Sequence, residues 1–216
     1  MSGRFPADSH VYGILTDPLA GYERLAAIMV ESGIRVVQLR MKDRPRAEVV
    51  GTALKLRAVI PPEVLFIIND DPSIAAQVGA DGVHLGQDDV PYDRARAILG
   101  PSAVIGLSTH SPAQTAAACA LHPDYIGIGP VWPTPTKRNP DPALGLETMA
   151  EMVRAATVPS VCLGSIDTSN AAQVMRAGAR MICAVRCVNQ ARDPASVILA
   201  LRSICESSMN AECIVS

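Results

Sequence analysis

Leu65-Phe66-Ile67-Ile68-Asn69-Asp70-Asp71-Pro72-Ser73 is the stretch from which the fold is read. A short apolar run reads as a buried strand. An amide and two carboxylates end it, and Asp71 stands where an N-cap precedes a helix opening at Pro72-Ser73. Working outward, the same unit recurs. Apolar runs at 11–16, 36–41, 82–86, 104–108, 125–130, 160–164 and 181–185 flank this one at 65–69. Between and after them lie helix-compatible, alanine-rich segments at 21–32, 46–60, 73–79, 111–121, 145–156, 169–178 and 194–206. Strands alternating with helices imply parallel pairing through βαβ crossovers. Eight such units within 216 residues fit a single-domain (β/α)8 TIM barrel spanning 1–216, with about 1–10 and 208–216 expected to fray. A doubly wound open sheet is the runner-up, but no G-x-G-x-x-G follows the first strand.

Composition narrows the function classes. At 49% apolar the chain can bury a full core, and a net charge of −2 gives no electrostatic footprint for nucleic acid. No apolar run reaches the length of a membrane span, and Met1-Ser2-Gly3-Arg4-Phe5-Pro6 lacks the apolar core of a signal peptide. The expected setting is the cytoplasm. The six cysteines, 119, 162, 183, 187, 205 and 213, form no C-x-x-C pair and read as buried free thiols. Cys183 and Cys187 are expected to alternate with Val185 along strand eight.

Barrel chemistry lies at the C-terminal ends of the strands, and polar residues gather there. In Val37-Gln38-Leu39-Arg40-Met41-Lys42 the alternation puts Gln38, Arg40 and Lys42 on one face, towards the mouth, and Leu39 and Met41 under the helices. Asn69-Asp70-Asp71 and Gln87-Asp88-Asp89 end neighbouring strands. Their carboxylates suit Mg²⁺, with one ligand expected from each acidic pair and the other acting as a cap or support. His84 reads equally as a core residue or a substrate contact. Ser111-Pro112 reads as N-cap and first helical residue, leaving Ser108 pointing into the mouth. No triad motif surrounds Ser108, so it reads as a binding group rather than a nucleophile. Gly127-Ile128-Gly129-Pro130-Val131-Trp132-Pro133-Thr134-Pro135-Thr136-Lys137-Arg138 leads a strand into hydroxyls and cations held among prolines, the groups a phosphate ester requires. Amides at Gly164 and Ser165, with a helix opening near Thr168-Ser169, and Arg186 at the end of strand eight, suit an anion.

With these residues laid out, the chain resembles the thiamine-phosphate synthase (thiamine-phosphate pyrophosphorylase) family from Leu15-Thr16-Asp17 through strand eight. The motifs that carry the resemblance are residues 38–42, Asn69-Asp70-Asp71, His84-Leu85-Gly86-Gln87-Asp88-Asp89 and residues 129–137. The resemblance implies a transferase of thiamine biosynthesis. It would join 4-amino-2-methyl-5-(diphosphooxymethyl)pyrimidine to 4-methyl-5-(2-phosphooxyethyl)thiazole, giving thiamine phosphate and diphosphate by a dissociative, Mg²⁺-assisted substitution. It also implies that Gln38, Arg40, Lys42, Asn69, Ser108 and Lys137 bind the pyrimidine diphosphate, within a row that includes Leu39 and Met41. Catalytic roles fall to Arg40, Lys42, Ser108 and Lys137, and one Mg²⁺ per subunit to Asp70 and Asp89. Thr134, Pro135 and Thr136, with Ser165, Val185 and Arg186, would bind the thiazole phosphate. The partners implied are these small molecules, with no nucleic acid or membrane, and with room for a homo-oligomer. The chain departs from the family pattern at Ser165, where a second glycine is usual, and at Arg186, where serine is usual. Two alternatives follow: the sister thiazole tautomerase, or a barrel that binds thiamine precursors without turnover.

Overall fold

The computed structural model describes residues 5–6, 9–134 and 141–213, with side chains to residue 210. Eight strands form the barrel: β1 (Gly13–Leu15), β2 (Val36–Leu39), β3 (Leu65–Asn69), β4 (Gly82–Leu85), β5 (Val104–Thr109), β6 (Tyr125–Ile128), β7 (Ser160–Leu163) and β8 (Met181–Cys183). The helices between them are α1 (Tyr22–Glu31), α2 (Arg46–Val59), α3 (Pro72–Val78), α4 (Tyr92–Leu99), α5 (Pro112–Ala120), α6 (Gly145–Ala155) and α7 (Ala171–Arg176). A short α8 (Val185–Asn189) and a long α9 (Pro194–Cys213) follow β8. The strands pair in chain order, all parallel, from Gly13↔Val37 round to Leu163↔Cys183. A parallel bridge between Val11 and Ile182 joins the last strand to the segment before the first. The chain is thus the (β/α)8 barrel expected from the alternation.

Period-two side-chain direction sorts this barrel into two cores. One face of each strand packs under the helices: Leu15, Val37, Leu39, Phe66, Ile68, Val83, Ile105, Ile126 and Cys162 belong to that outer core. The opposite face fills the interior with Tyr12, Ile14, Val36, Leu65, Ile67, Val104, Tyr125, Val161, Met181 and Cys183. One step further along each strand the interior face turns polar, at Gln38, Asn69, His84 and Ser108. Gly106 is needed between them, because a Cβ there would stand 2.2 Å from the Tyr125 ring carbon Cζ. The absent side chain is the space that the Tyr125 ring occupies.

Two matching clamps tie helices to strand starts. Asp81, just before β4, accepts from the Phe66 amide (2.9 Å) and from Arg57 of α2 (2.9 Å). Asp124, just before β6, accepts from the Ile105 amide (2.8 Å) and from Arg96 of α4 (3.2 Å). Both arginines also donate to carbonyls that close their own helices, Ile60 for Arg57 and Gly100 for Arg96. Asn189 does similar work for α8: its amide donates to Ile14 and Val185 carbonyls, and its oxygen accepts from the Thr16 amide.

Several boundaries differ from the sequence reading. Strand eight stops at Cys183, and Val185, Arg186 and Cys187 lie on α8, so Cys187 does not continue the alternation. Over five residues a strand and a helix leave the same apolar trace. Asp71 caps α3 as expected, accepting from the Ser73 and Ile74 amides, and Ser111 caps α5. Neither Asp88 nor Asp89 caps α4, whose N-cap is Pro91; Asp89 instead accepts from the Gly86 amide. Helix α7 starts at Ala171, because Asp167 holds the Ser169 amide and hydroxyl in a turn just ahead of it. At the termini, Phe5 is packed rather than frayed, stacked on Tyr125 with centroids 4.3 Å apart, and α9 runs on through Cys213.

Candidate active site

Short strands bring their polar interior residues to one mouth, where a cavity of about 420 Å³ opens. Its wall from β2 to β5 carries Gln38, Arg40, Asn69, His84 and Ser108. Its wall from β6 to α8 carries Thr134, Ser165, Asp167, Val185 and Arg186. Leu39 is buried in the outer core and Met41 packs against it, so these two turn away from the cavity. Pro135, Thr136 and Lys137 lie outside the described residues.

The polar groups are held before any ligand arrives. Gln38, buried, donates to Asn69 Oδ1 at 2.7 Å, which fixes both amides. Arg40 is half-buried, and loss of water pulls its guanidinium down from the ordinary arginine range, with Asp70, Asp17 and Asp43 opposing. A cation so placed acts through little intervening water, which strengthens its hold on an anion. Ser108 Oγ lies 2.9 Å from His84 Nε2. His110 spans the next loop, with Nδ1 against the Gly129 carbonyl and Nε2 3.3 Å from an Asp141 carboxylate oxygen.

The acidic cluster resolves into distinct tasks. Asp71 is committed to capping α3 and to Arg46, which pairs with it at 2.7 Å. Asp70, at φ 68, turns the other way, pairs with Lys42 and lies near enough to the Asp89 carboxyl to feel its charge. Burial first, and then the neighbouring Asp89, raise the Asp70 carboxyl to about 6, against the pull of Lys42. Among the described residues no group of three His, Cys, Asp or Glu side chains encloses an ion. Two adjoining carboxyls nevertheless fit Mg²⁺, which takes one or two carboxylates and completes its shell with water and phosphate oxygens.

The β7 end is built by close approach. A Cβ on Gly164, at φ 116, would stand 2.5 Å from Pro130 Cα. Ser165 is left-handed as well, at φ 50, and its hydroxyl donates to the Pro133 carbonyl at 2.6 Å, while the Asn170 amide donates to the Ser165 carbonyl. The serine thereby links the ends of β6 and β7. The sequence reading did not single out Asp167 or Gln190 on the cavity wall, nor Tyr12 and Tyr125 at its floor, and it took Cys187, also on the wall, for a packing residue. The two tyrosines share the interior phase of Ile14 and Gly127, a signal present in the alternation. The others lie on turns and α8, where alternation does not apply.

Fold and site together define a (β/α)8-barrel enzyme with a preorganised polar cavity at the C-terminal mouth. The family model for thiamine monophosphate synthase matches residues 13–188. Thiamine-phosphate synthase of Pelotomaculum thermopropionicum is 41% identical over 208 residues, covering 94% of each chain. That of Caldicellulosiruptor bescii is 36% identical, covering 91% of this chain and 92% of its own. A solved thiamine phosphate pyrophosphorylase from Pyrococcus furiosus superposes with a TM-score of 0.85 at 29% identity, over 94% of this chain and 98% of its own. The chain belongs to the thiamine monophosphate synthase family. No helix among the described residues is long and apolar enough to cross a membrane.

Proposed function

We propose that this barrel joins 4-amino-2-methyl-5-(diphosphooxymethyl)pyrimidine to 4-methyl-5-(2-phosphooxyethyl)thiazole, releasing diphosphate and forming thiamine phosphate, as a cytoplasmic transferase. The observation that carries the reading is the convergence of Gln38, Arg40, Asn69 and Ser108 on one cavity, beside the Asp70–Asp89 pair. The locked Gln38–Asn69 amides suit the ring and exocyclic groups of a pyrimidine. Arg40 and Lys42 face the diphosphate and offset the charge that grows as the carbon–oxygen bond breaks. Lys137, from its place in the sequence, joins them. Asp70 and Asp89 would hold Mg²⁺, which when bound would add charge neutralisation for the departing diphosphate. The thiazole nitrogen then forms the new carbon–nitrogen bond, so no side chain needs to act as nucleophile. On the far wall, Thr134, Ser165 and Arg186 take the thiazole phosphate, with Pro135, Thr136 and Val185 beside them. Arg186 offers a charged fork where the family usually has a hydroxyl.

The test is product formation by purified protein given both substrates, first with Mg²⁺ and then with EDTA. Thiamine phosphate that appears only with the metal is expected. Binding of the pyrimidine diphosphate without any product would replace this reading with that of a non-catalytic barrel.

A further inference from the structure

Beneath the cavity floor runs a hydrogen-bonded line that the reaction chemistry leaves unused. Tyr12 and Tyr125 hydroxyls lie 2.8 Å apart, Tyr125 and His84 Nδ1 3.0 Å, and His84 Nε2 and Ser108 Oγ 2.9 Å. The phenols expose only 3% and 1% of their surface. Burial pushes both well above the ordinary tyrosine range, so each keeps its proton.

Counting those protons gives the line a direction. A buried hydroxyl proton needs an acceptor. Among the described residues, the partner of the Tyr12 hydroxyl is Tyr125, so Tyr12 donates to Tyr125. The Tyr125 proton then goes to its other neighbour, His84 Nδ1. A histidine that accepts at Nδ1 is neutral and carries its proton on Nε2, which donates to Ser108 Oγ. The opposite order, with the proton on Nδ1, leaves the Tyr12 proton without a protein acceptor among the described residues. A doubly protonated His84 fails for the same reason.

We infer that Tyr125 and His84 are positioning residues that fix Ser108 as a hydrogen-bond donor to the substrate, with Tyr12 as the outer link of the line. With its oxygen already accepting from His84, the serine turns its own proton into the cavity, where it selects a lone pair over an N–H or O–H. The recognised group is a ring nitrogen or phosphoryl oxygen of the pyrimidine diphosphate, and this assignment of the ligand rests on the proposed function. The relay itself does not.

Nitrogen-15 NMR of the histidine-labelled full chain separates the two. The His84 signals, identified by their loss in His84→Gln, should show a hydrogen-bonded, unprotonated Nδ1 and a protonated Nε2 before substrate is added. A proton on Nδ1, alone or together with Nε2, overturns the relay. Tyr125→Phe should move the Nδ1 signal towards that of an unbonded imidazole nitrogen, and an unmoved signal overturns Tyr125 as its donor. Tyr12→Phe removes only the outer link and should leave the His84 pattern in place, which keeps the order testable if the Tyr125 variant does not fold. In turnover, His84→Met should raise KM for the pyrimidine diphosphate about tenfold with a smaller change in kcat, as for one lost hydrogen bond. His84→Gln, whose amide can still donate to Oγ, should recover most of that loss. Equal loss in both overturns the donor role. A wild-type chain with the expected NMR pattern and no product supports the relay and overturns the function.

Discussion

Asp70 is where function and stability pull apart. Its carboxyl sits at about 6 in the folded chain against 3.8 for the ordinary group. The folded state therefore binds this proton more tightly than the unfolded state. The contribution is favourable below about 4 and is lost as pH rises towards 6. Asp70→Asn, measured by urea unfolding in EDTA, should match the wild type at pH 4. At pH 7.5 it should be more stable by about 1 kcal/mol, less than the full shift implies because Lys42 loses its partner. The same variant should lose turnover. A stability gain that persists at pH 4 would assign the effect to packing rather than to the buried charge. The sequence showed that one carboxylate of Asn69-Asp70-Asp71 had to cap the helix, since Pro72-Ser73 follows. It did not show Lys42 resting on the other, because that contact depends on how the chain turns after β2 ends at Leu39.

Among elements, the clamps at Asp81 and Asp124 matter most, and they were not legible in the sequence. Each links a helix, a strand start and the preceding strand, positions that spacing alone does not connect. The Asp124 side chain is 6% exposed and serves both the Ile105 amide and Arg96. Asp124→Ala would leave a buried amide without its partner and an arginine without its counter-charge. It should destabilise the barrel by about 2–4 kcal/mol, read from the urea midpoint. Because the clamp lies at the strand start, KM values should stay near wild type in the folded fraction. Large KM changes would show that the two ends of the barrel are coupled. The strands themselves were legible because each apolar run is ended by polar residues. The exception was strand eight, where Val185-Arg186-Cys187 reads as strand and folds into α8. Asn189 holds that helix by bonds to β1, far away in sequence.

For the molecule as a whole, the barrel order followed from eight repeats of one unit, and the interior filling did not. Phe5 lies in a segment expected to fray from its terminal position, yet its ring stacks on Tyr125 and is 8% exposed. Phe5→Ala should cost about 3 kcal/mol of unfolding free energy. A change within a few tenths of zero would return the N-terminal segment to the status of a loose end. The polar interior falls on two arcs of the mouth: Gln38, Arg40, Asn69, His84 and Ser108 on one, Thr134, Ser165 and Arg186 on the other. Ser165 and Arg186, the departures that the sequence resemblance implied, both lie on the second arc. A ring assembled this way can have half its vocabulary rewritten while the other half keeps its meaning. New partners for an old substrate are therefore reachable through a few neighbouring strand ends, with the outer core left as it stands.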